Sequence, residues 1–335
     1  MGVKKFPADV GVYELSEDER VAIDGLVDEV RATYASADDP EFLFRAGTLA
    51  ANLPSGLVGF LREFQLCERN AGVVVRGFHV DDEGIGPTPS HWSAQNDPAS
   101  TVREETFFVL CASLLGEPFG WSTLQAGRLI HDVLPVKGEE FAQSGHGSTA
   151  NLEWHTEDGF HPYRCDYLCL MAMRNHTKVP TTFASAAAIT LPKEVADVLF
   201  EPRFLIRPDD EHLRVKSMNS VSDIAEHTKP SPVLFGDRDK PYFRIDPYYM
   251  DAVEGDSDAS RALKTVIVAL DEVLDDLILE SGEIGFIDNY RAVHGRRPFV
   301  ASHDGTDRWL KKVLVTRDLR KSRQIRSSSQ SRVLA

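Results

Sequence analysis

Trp154-His155-Thr156-Glu157-Asp158-Gly159-Phe160 sets an imidazole and a carboxylate two residues apart. On an extended strand alternate residues project from one face, so this pair can converge on one metal ion. A third donor has to come from another segment. His294 is the best placed, in the glycine-flanked turn Asn289-Tyr290-Arg291-Ala292-Val293-His294-Gly295, just after the apolar run Ile284–Ile287. Two imidazoles and one carboxylate on one side of a metal leave positions open on the other, the donor set of non-haem iron(II) oxygenases. H-x-E spacing alone is common, so the reading depends on what surrounds it.

Around this stretch, short apolar or alternating runs recur from Phe119 onward. They are Arg128–Leu134, Tyr167–Met173, Thr181–Ala186, Phe204–Arg207, Pro232–Phe235, Tyr242–Ile245, Ile284–Ile287 and Trp309–Thr316. Many short strands without alternating helices predict a sandwich or barrel rather than a βαβ sheet. Two helices interrupt them, Pro192–Phe200 and Ser257–Asp276. Residues 1–70 read as helical, with Ser16 as an N-cap ahead of an acidic first turn and Ile23, Leu26, Val27 and Val30 at helical spacing. A second helix is expected over Glu41–Ala51 and a third with Pro54 in its first turn. Val73–Phe78 reads as a strand, Asp81–Thr101 as a loop and Glu104–Leu115 as a buried helix. The basic, serine-rich tail Arg320–Ser331 is expected to pack at its near end and to be loose at its far end.

Composition narrows the class. The chain has 335 residues, 42% hydrophobic and 27% charged, with a formal net charge of −15. An acidic chain of this kind is repelled by phosphate, which argues against a nucleic-acid or anionic-membrane partner. No apolar run has the length of a membrane span, and the start Met1-Gly2-Val3-Lys4-Lys5-Phe6 lacks a signal-peptide core. Cys67, Cys111, Cys165 and Cys169 form no C-x-x-C pair; Cys165 and Cys169 share the parity of one strand face and read as buried thiols. A reducing, cytoplasmic setting is the expectation. Phosphate-loop and dinucleotide motifs are absent. Gly145-His146-Gly147-Ser148 lacks a nucleophile elbow and reads as a loop near the entrance.

Two further features belong to the proposed site. Arg308 stands fourteen residues after His294, at the head of Arg308–Val315. If the site takes 2-oxoglutarate, the distal carboxylate needs a cation, and a guanidinium supplies a bidentate fork. Thr182 offers a hydroxyl donor. The plainer reading of Arg308 is a surface ion pair with Asp304 or Asp307, and Arg296 and Arg297 compete for the role. The second feature is the polar segment Arg207–Ser231, long for a loop and lying between the two halves of the site, which favours a lid.

With these residues in view, the blocks Trp154–Phe160, Asp288–Arg296 and Asp304–Leu310 resemble the clavaminate synthase-like family of Fe(II)/2-oxoglutarate oxygenases. Phe204–Asp210, Gly120-Trp121 and Asp132–Pro135 bring the chain nearer to the bacterial free-arginine 3-hydroxylases of peptide-antibiotic biosynthesis. The likeness spans roughly residues 15–325. It implies a mixed α/β chain with a mainly β core, a double-stranded β-helix (jelly-roll or cupin-like), flanked by N-terminal and inserted helices. The expected organisation is one oxygenase domain over 1–335: a mainly helical N-terminal region (1–118), the core (119–319) with a lid at 207–231, and the tail (320–335). The resemblance places His155, Glu157 and His294 on Fe(II) and Arg308 and Thr182 on 2-oxoglutarate, with O2 as co-reactant.

At the amino-acid end the resemblance implies that Asp246 grips a guanidinium, and Asp209 on the lid segment is a further substrate-binding candidate. Here this chain departs from the arginine specialists. Tyr248 stands where a second Asp is frequent, Leu124 with Gln125 beside it where a Gln holds the α-amino group, and Lys312 where an Arg takes the substrate carboxylate. The implied reaction is hydroxylation of an unactivated carbon of a free basic amino acid, arginine or a cyclic or modified arginine, in natural-product biosynthesis. Lysine, asparagine or a carrier-bound amino acid is the alternative, as is desaturation or cyclisation. Two rivals from other classes are a metal-binding jelly roll without oxygenase activity and a zinc hydrolase carrying H-x-E. Arg308 beside the triad argues against the first, and indifference to 2-oxoglutarate would mark the second. The partner is a small molecule; oligomeric state is open.

Overall fold

In the computed structural model, which describes residues 5–94, 98–214 and 229–335, strands form the middle of the molecule and helices cover it from two sides. The first half contributes β1 (Val10–Glu14), β2 (Gly72–Arg76), β3 (Glu117–Trp121), β4 (Ile130–Val133), β5 (Leu152–His155), β6 (Tyr167–Arg174) and β7 (Thr181–Ser185). The second half contributes β8 (Phe204–Ile206), β9 (Leu234–Phe235), β10 (Tyr242–Phe243), β11 (Met250–Ala252), β12 (Asp275–Leu277), β13 (Ile284–Asp288), β14 (Ala292–Arg296), β15 (Trp309–Thr316) and β16 (Val333–Leu334). A large sheet runs β1-β2-β13-β6-β15-β3-β16, with β4 also on β15; a small one runs β12-β7-β14-β5. The small sheet is antiparallel throughout. In the large sheet, among the described residues, β1 on β2 and β16 on β3 are parallel and the other pairings antiparallel.

Three apolar layers hold these elements. Between the sheets, Leu168 and Leu170 of β6, Leu310 and Leu314 of β15 and Ile287 of β13 meet Phe183 of β7 and Ala292 of β14. The other face of the large sheet takes Cys169, Met171 and Val313 against α1 (Glu17–Thr33), α2 (Pro40–Leu49), α3 (Ser55–Cys67) and α4 (Val102–Ser113). The outer face of the small sheet packs Trp154, Ala184 and Val293 against α5 (Lys193–Leu199) and α7 (Ser257–Glu272), with α6 (Asp210–Arg214) between them in sequence. This is the mixed chain with a mainly β, jelly-roll core that the sequence predicts. Among the described residues no helix is long and apolar enough to cross a membrane.

The helix starts follow local chemistry. Ser16 and Glu19 make a reciprocal capping box at α1, and Asp39 caps α2 with Pro40 in its first turn. Several expectations need correction. Val10–Glu14 is a strand inside the stretch expected to be helical, because parallel pairing with Gly72–Arg76 supplies backbone partners that no local pattern announces. Pro54 is the cap residue of α3, one position ahead of its first turn. The last long helix stops at Glu272, and Asp275–Leu277 pairs with β7. Cys165 and Cys169 are both buried but in different layers: Cys165 precedes the start of β6, so strand parity does not reach it. The far end of the tail is fastened as β16, with Leu334 buried between the sheets.

Candidate active site

His155 and His294 face each other across the β5–β14 ladder, directly in register. His294 therefore lies in mid-strand rather than in a turn. Gly295 beside it is demanded by crowding: a Cβ there would stand 2.5 Å from the Leu152 carbonyl oxygen. His155 is the last residue of β5, and Glu157 lies past the strand end, so a turn, not strand parity, brings the carboxylate round. Asn289 fixes that turn. Its side chain accepts from the Glu157 N–H at 2.7 Å and donates to the carbonyls of Glu157 (2.9 Å) and Cys165 (3.0 Å). Thr156 is bonded to Ile245 through both backbone and hydroxyl.

The three side chains hold ligand atoms within 4.8 Å of one another. Glu157 Oε2 lies 3.1 Å from His294 Nε2 and 3.7 Å from His155 Nε2. The His155 Nδ1 sits 2.8 Å from the Glu153 carbonyl, which orients Nε2 inward, the usual outer support of a metal-binding imidazole. Lys312 Nζ donates to the other oxygen, Glu157 Oε1, at 2.7 Å. Burial opposes ionisation of Glu157, yet the Lys312 charge and the bonds to both imidazoles hold its pKa well below the usual range. Burial also opposes a charged His155, but Glu157 and Asp246 outweigh it and raise its pKa to about 9. At His294 burial wins over the bond to Glu157, and the pKa falls to about 4. A clustered N,N,O donor set with a deprotonated carboxylate is what a divalent first-row metal requires.

The triad opens into a cavity of about 90 Å³ lined also by Leu168, Leu170, Thr181, Asp209, Glu211, Arg308, Leu310 and Lys312. Arg308 is buried there with no carboxylate partner among the described residues; its Nη2 donates to Thr181 Oγ1 at 3.1 Å and its Nε has none. Burial, then the neighbouring Arg296 charge, pulls its pKa down. Asp304 and Asp307 bond to their own loop, Arg297 pairs with Asp276, and Arg296 donates to the carbonyls of Ser148 and Ala150. A desolvated guanidinium without a counter-ion is prepared for an anionic ligand.

Thr181, not Thr182, is the hydroxyl on this face. Register pairs Thr181 with Arg296 and Thr182 with Gly295, so Thr182 turns away from the triad and its buried Oγ1 finds no partner among the described residues. Of the other expected residues, Lys312 and Asp209 line the cavity. Leu124 and Gln125 line a neighbouring cavity of about 340 Å³ that shares Glu211, and both ends of the Gln125 amide are bonded to the Asp132 backbone. Asp246 caps a turn, accepting from the N–H groups of Tyr248 and Tyr249, and Tyr248 is exposed. The segment 207–231 is described only to Arg214 and from residue 229; 215–228 lie outside the described residues. Its start is fastened to the turn that carries Glu157. His212 on α6 lies 3.1 Å from Asp158 and 2.7 Å from Thr123, and Asp158 also accepts from Trp121 Nε1 at 2.6 Å. A larger cavity of about 370 Å³ lies on the helix side of the large sheet, away from the triad.

Sequence reading missed Asn289, Thr181, Glu211 and the Asp158–His212 pair. Asn289 stands in the Asp288–Arg296 block, five residues before His294, but only the folded register gives it a task.

The arrangement has counterparts. The family model described as Taurine catabolism dioxygenase TauD, TfdA family, matches residues 64–314, which hold the triad, Thr181, Arg308 and Lys312. The chain belongs to this dioxygenase family. It is 43% identical to the enduracididine beta-hydroxylase of Streptomyces hygroscopicus, over 96% of this chain and 98% of that one. It is 38% identical to the L-ornithine/L-arginine 3-hydroxylase of Catenulispora acidiphila, with the same coverages. The crystal structure of the non-heme iron oxygenase OrfP with Fe, succinate and (3S)-hydroxy-L-Arg superposes with a TM-score of 0.91 at 43% identity, covering 97% of this chain and 99% of that one. OrfP with Fe and alpha-ketoglutaric acid gives 0.89 at 44% identity, covering 97% and 100%.

Proposed function

We propose that this dioxygenase binds Fe(II) through His155, Glu157 and His294 and hydroxylates a free basic amino acid, arginine or a cyclic guanidine analogue, at a side-chain carbon. The observation that carries the reading is one small cavity lined by the triad, by Arg308, which has no carboxylate partner among the described residues, and by Asp209 and Glu211. The residues fit the cofactors: three clustered donors for the metal, and a buried guanidinium with an orphan N–H for the distal carboxylate of 2-oxoglutarate. The relatives named as hydroxylases of enduracididine and of ornithine or arginine support the substrate class.

Iron with 2-oxoglutarate supplies the oxidising power of O2, one oxygen atom entering the C–H bond and the other the succinate formed as CO2 leaves. The chain supplies position and dryness. Arg308 and Thr181 set the cosubstrate's far end. Asp209 and Glu211 present negative charge to a guanidinium, and Lys312 keeps hydrogens available for a carboxylate at the opposite end. Leu168, Leu170 and Leu310 exclude water from the reacting carbon. Asp246 bonds its turn through Oδ1 and adds negative charge near His155, leaving Oδ2 for a guanidinium.

Anaerobic loading with Fe(II) and 2-oxoglutarate, then oxygen, with arginine, enduracididine, lysine and asparagine, tests the reading by mass spectrometry. The expected result is a product heavier by one oxygen atom with arginine or enduracididine, and succinate in step. Iron binding without succinate on any of these substrates would overturn it.

A further inference from the structure

β15 presents neighbouring lysines to opposite faces of the large sheet. Lys311 points to the helix side, 2.7 Å from both Glu105 and Asp132. Lys312 points between the sheets and reaches the triad's own carboxylate. The two oxygens of Glu157 are thereby given different tasks. Oε2 is the one gathered with His155 and His294, while Oε1 is occupied by the Lys312 ammonium.

The terminal torsion of a glutamate is broad and roughly two-fold, so a carboxylate held only by its backbone can turn. Asn289 fixes the Glu157 backbone but not that torsion. Besides the imidazoles themselves, the contact among the described residues that restrains it is Lys312 at 2.7 Å on Oε1. We propose that Lys312 is a positioning residue for the metal: by holding Oε1 it keeps Oε2 of Glu157 turned toward His155 and His294, the orientation in which the carboxylate can serve as a ligand. Its remaining ammonium hydrogens have no other protein partner among the described residues, so the same side chain can also meet a substrate carboxylate. This inference rests on the triad being an iron(II) site.

Two effects of removing the lysine have opposite signs. A cation beside a divalent metal repels it, so the field alone predicts tighter metal binding when the charge is lost. Loss of an outer contact that orients a ligand weakens metal binding about 10–100-fold. The sign of the change therefore separates a positioning role from a purely substrate-binding one.

The test is anaerobic titration of the full chain with Fe(II), and with Co(II) as a coloured probe, without amino acid. Wild type, Lys312→Met and Lys312→Arg are compared, and near-ultraviolet circular dichroism confirms that each is folded. Lys312→Met is expected to weaken both metals about 10–100-fold and to alter the visible Co(II) bands. Lys312→Arg, which keeps donor and charge, should restore most of the affinity. Unchanged or tighter metal binding by Lys312→Met, with a wild-type Co(II) spectrum and the defect confined to KM for the amino acid, would overturn the proposal. So would failure of Lys312→Arg to recover any affinity while folded. A wild type that binds neither metal overturns the iron site itself, a result distinct from any difference between variants.

Discussion

Replacing Asn289 by alanine should damage fold and metal site together, and by calculable amounts. The side chain is fully buried and serves three backbone groups: the Glu157 N–H, the Glu157 carbonyl and the Cys165 carbonyl. A buried polar group left without a partner costs about 1–3 kcal/mol. Three such groups, with water recovering part of the loss, give about 3–5 kcal/mol. Total stability of a domain is about 5–15 kcal/mol, so Asn289→Ala would fold with little margin. The turn carrying Glu157 would also lose its fixed position, and metal affinity should fall about 10–100-fold. Urea unfolding and anaerobic Fe(II) titration, both in the cold, measure the two effects. Asn289→Asp keeps an acceptor for the Glu157 N–H but turns a carboxylate toward two carbonyls, and should be similarly impaired. An Asn289→Ala protein within about 1 kcal/mol of wild type and with unchanged metal affinity would refute the clamp.

Thr181→Val should raise KM for 2-oxoglutarate by about tenfold, the worth of one hydrogen bond to a charged group, whereas Thr182→Val should leave it unchanged; the reverse pattern would refute the register argument. Arg308→Met should raise that KM at least about 100-fold, yet raise the cofactor-free melting temperature, because the buried guanidinium has no counter-ion among the described residues; differential scanning fluorimetry without 2-oxoglutarate checks the second half. Asp288→Asn should stabilise the protein near neutral pH. Burial lifts the Asp288 pKa from 3.8 to about 6, a gap of about 3 kcal/mol at most. Because the folded value exceeds the unfolded one, the penalty is complete above pH about 6 and gone below the unfolded value of about 4. Urea midpoints of the variant and wild type should therefore separate at neutral pH and merge in acid.

The helices and the pair His155 and Glu157 were legible because each is written locally, and the structure brings His294 to that pair. Helical spacing of Ile23, Leu26, Val27 and Val30 survives any tertiary context, and H-x-E is a short motif. What escaped depends on partners distant in sequence. Val10–Glu14 is a strand only because Gly72–Arg76 lies beside it. Glu117–Trp121 contains Pro118 and Gly120, which disguise it, yet it pairs with Val315 and Thr316. Ala292–Arg296 looked like a turn because of Gly295, whose missing side chain is what admits the Leu152 carbonyl. The choice between Thr181 and Thr182 is a matter of one residue of register, which a composition window does not carry. Asp246 shows a task that no local pattern announces: its Oδ1 accepts from the Tyr248 and Tyr249 N–H groups and shapes the turn.

The ladder that sets His294 opposite His155 breaks register between His294 and Arg296. Strand pairing is quantised, and a slip of one residue would send His294 to the outer layer among Val293 and Trp154. The two imidazoles, one hundred and thirty-nine positions apart in sequence, meet only in a chain whose small sheet has closed correctly. On the proposed iron site, metal capture would report on folding: a misregistered chain can be compact and well hydrogen-bonded and still lack the cluster. Any metal present during synthesis would draw the population toward the correct register by mass action.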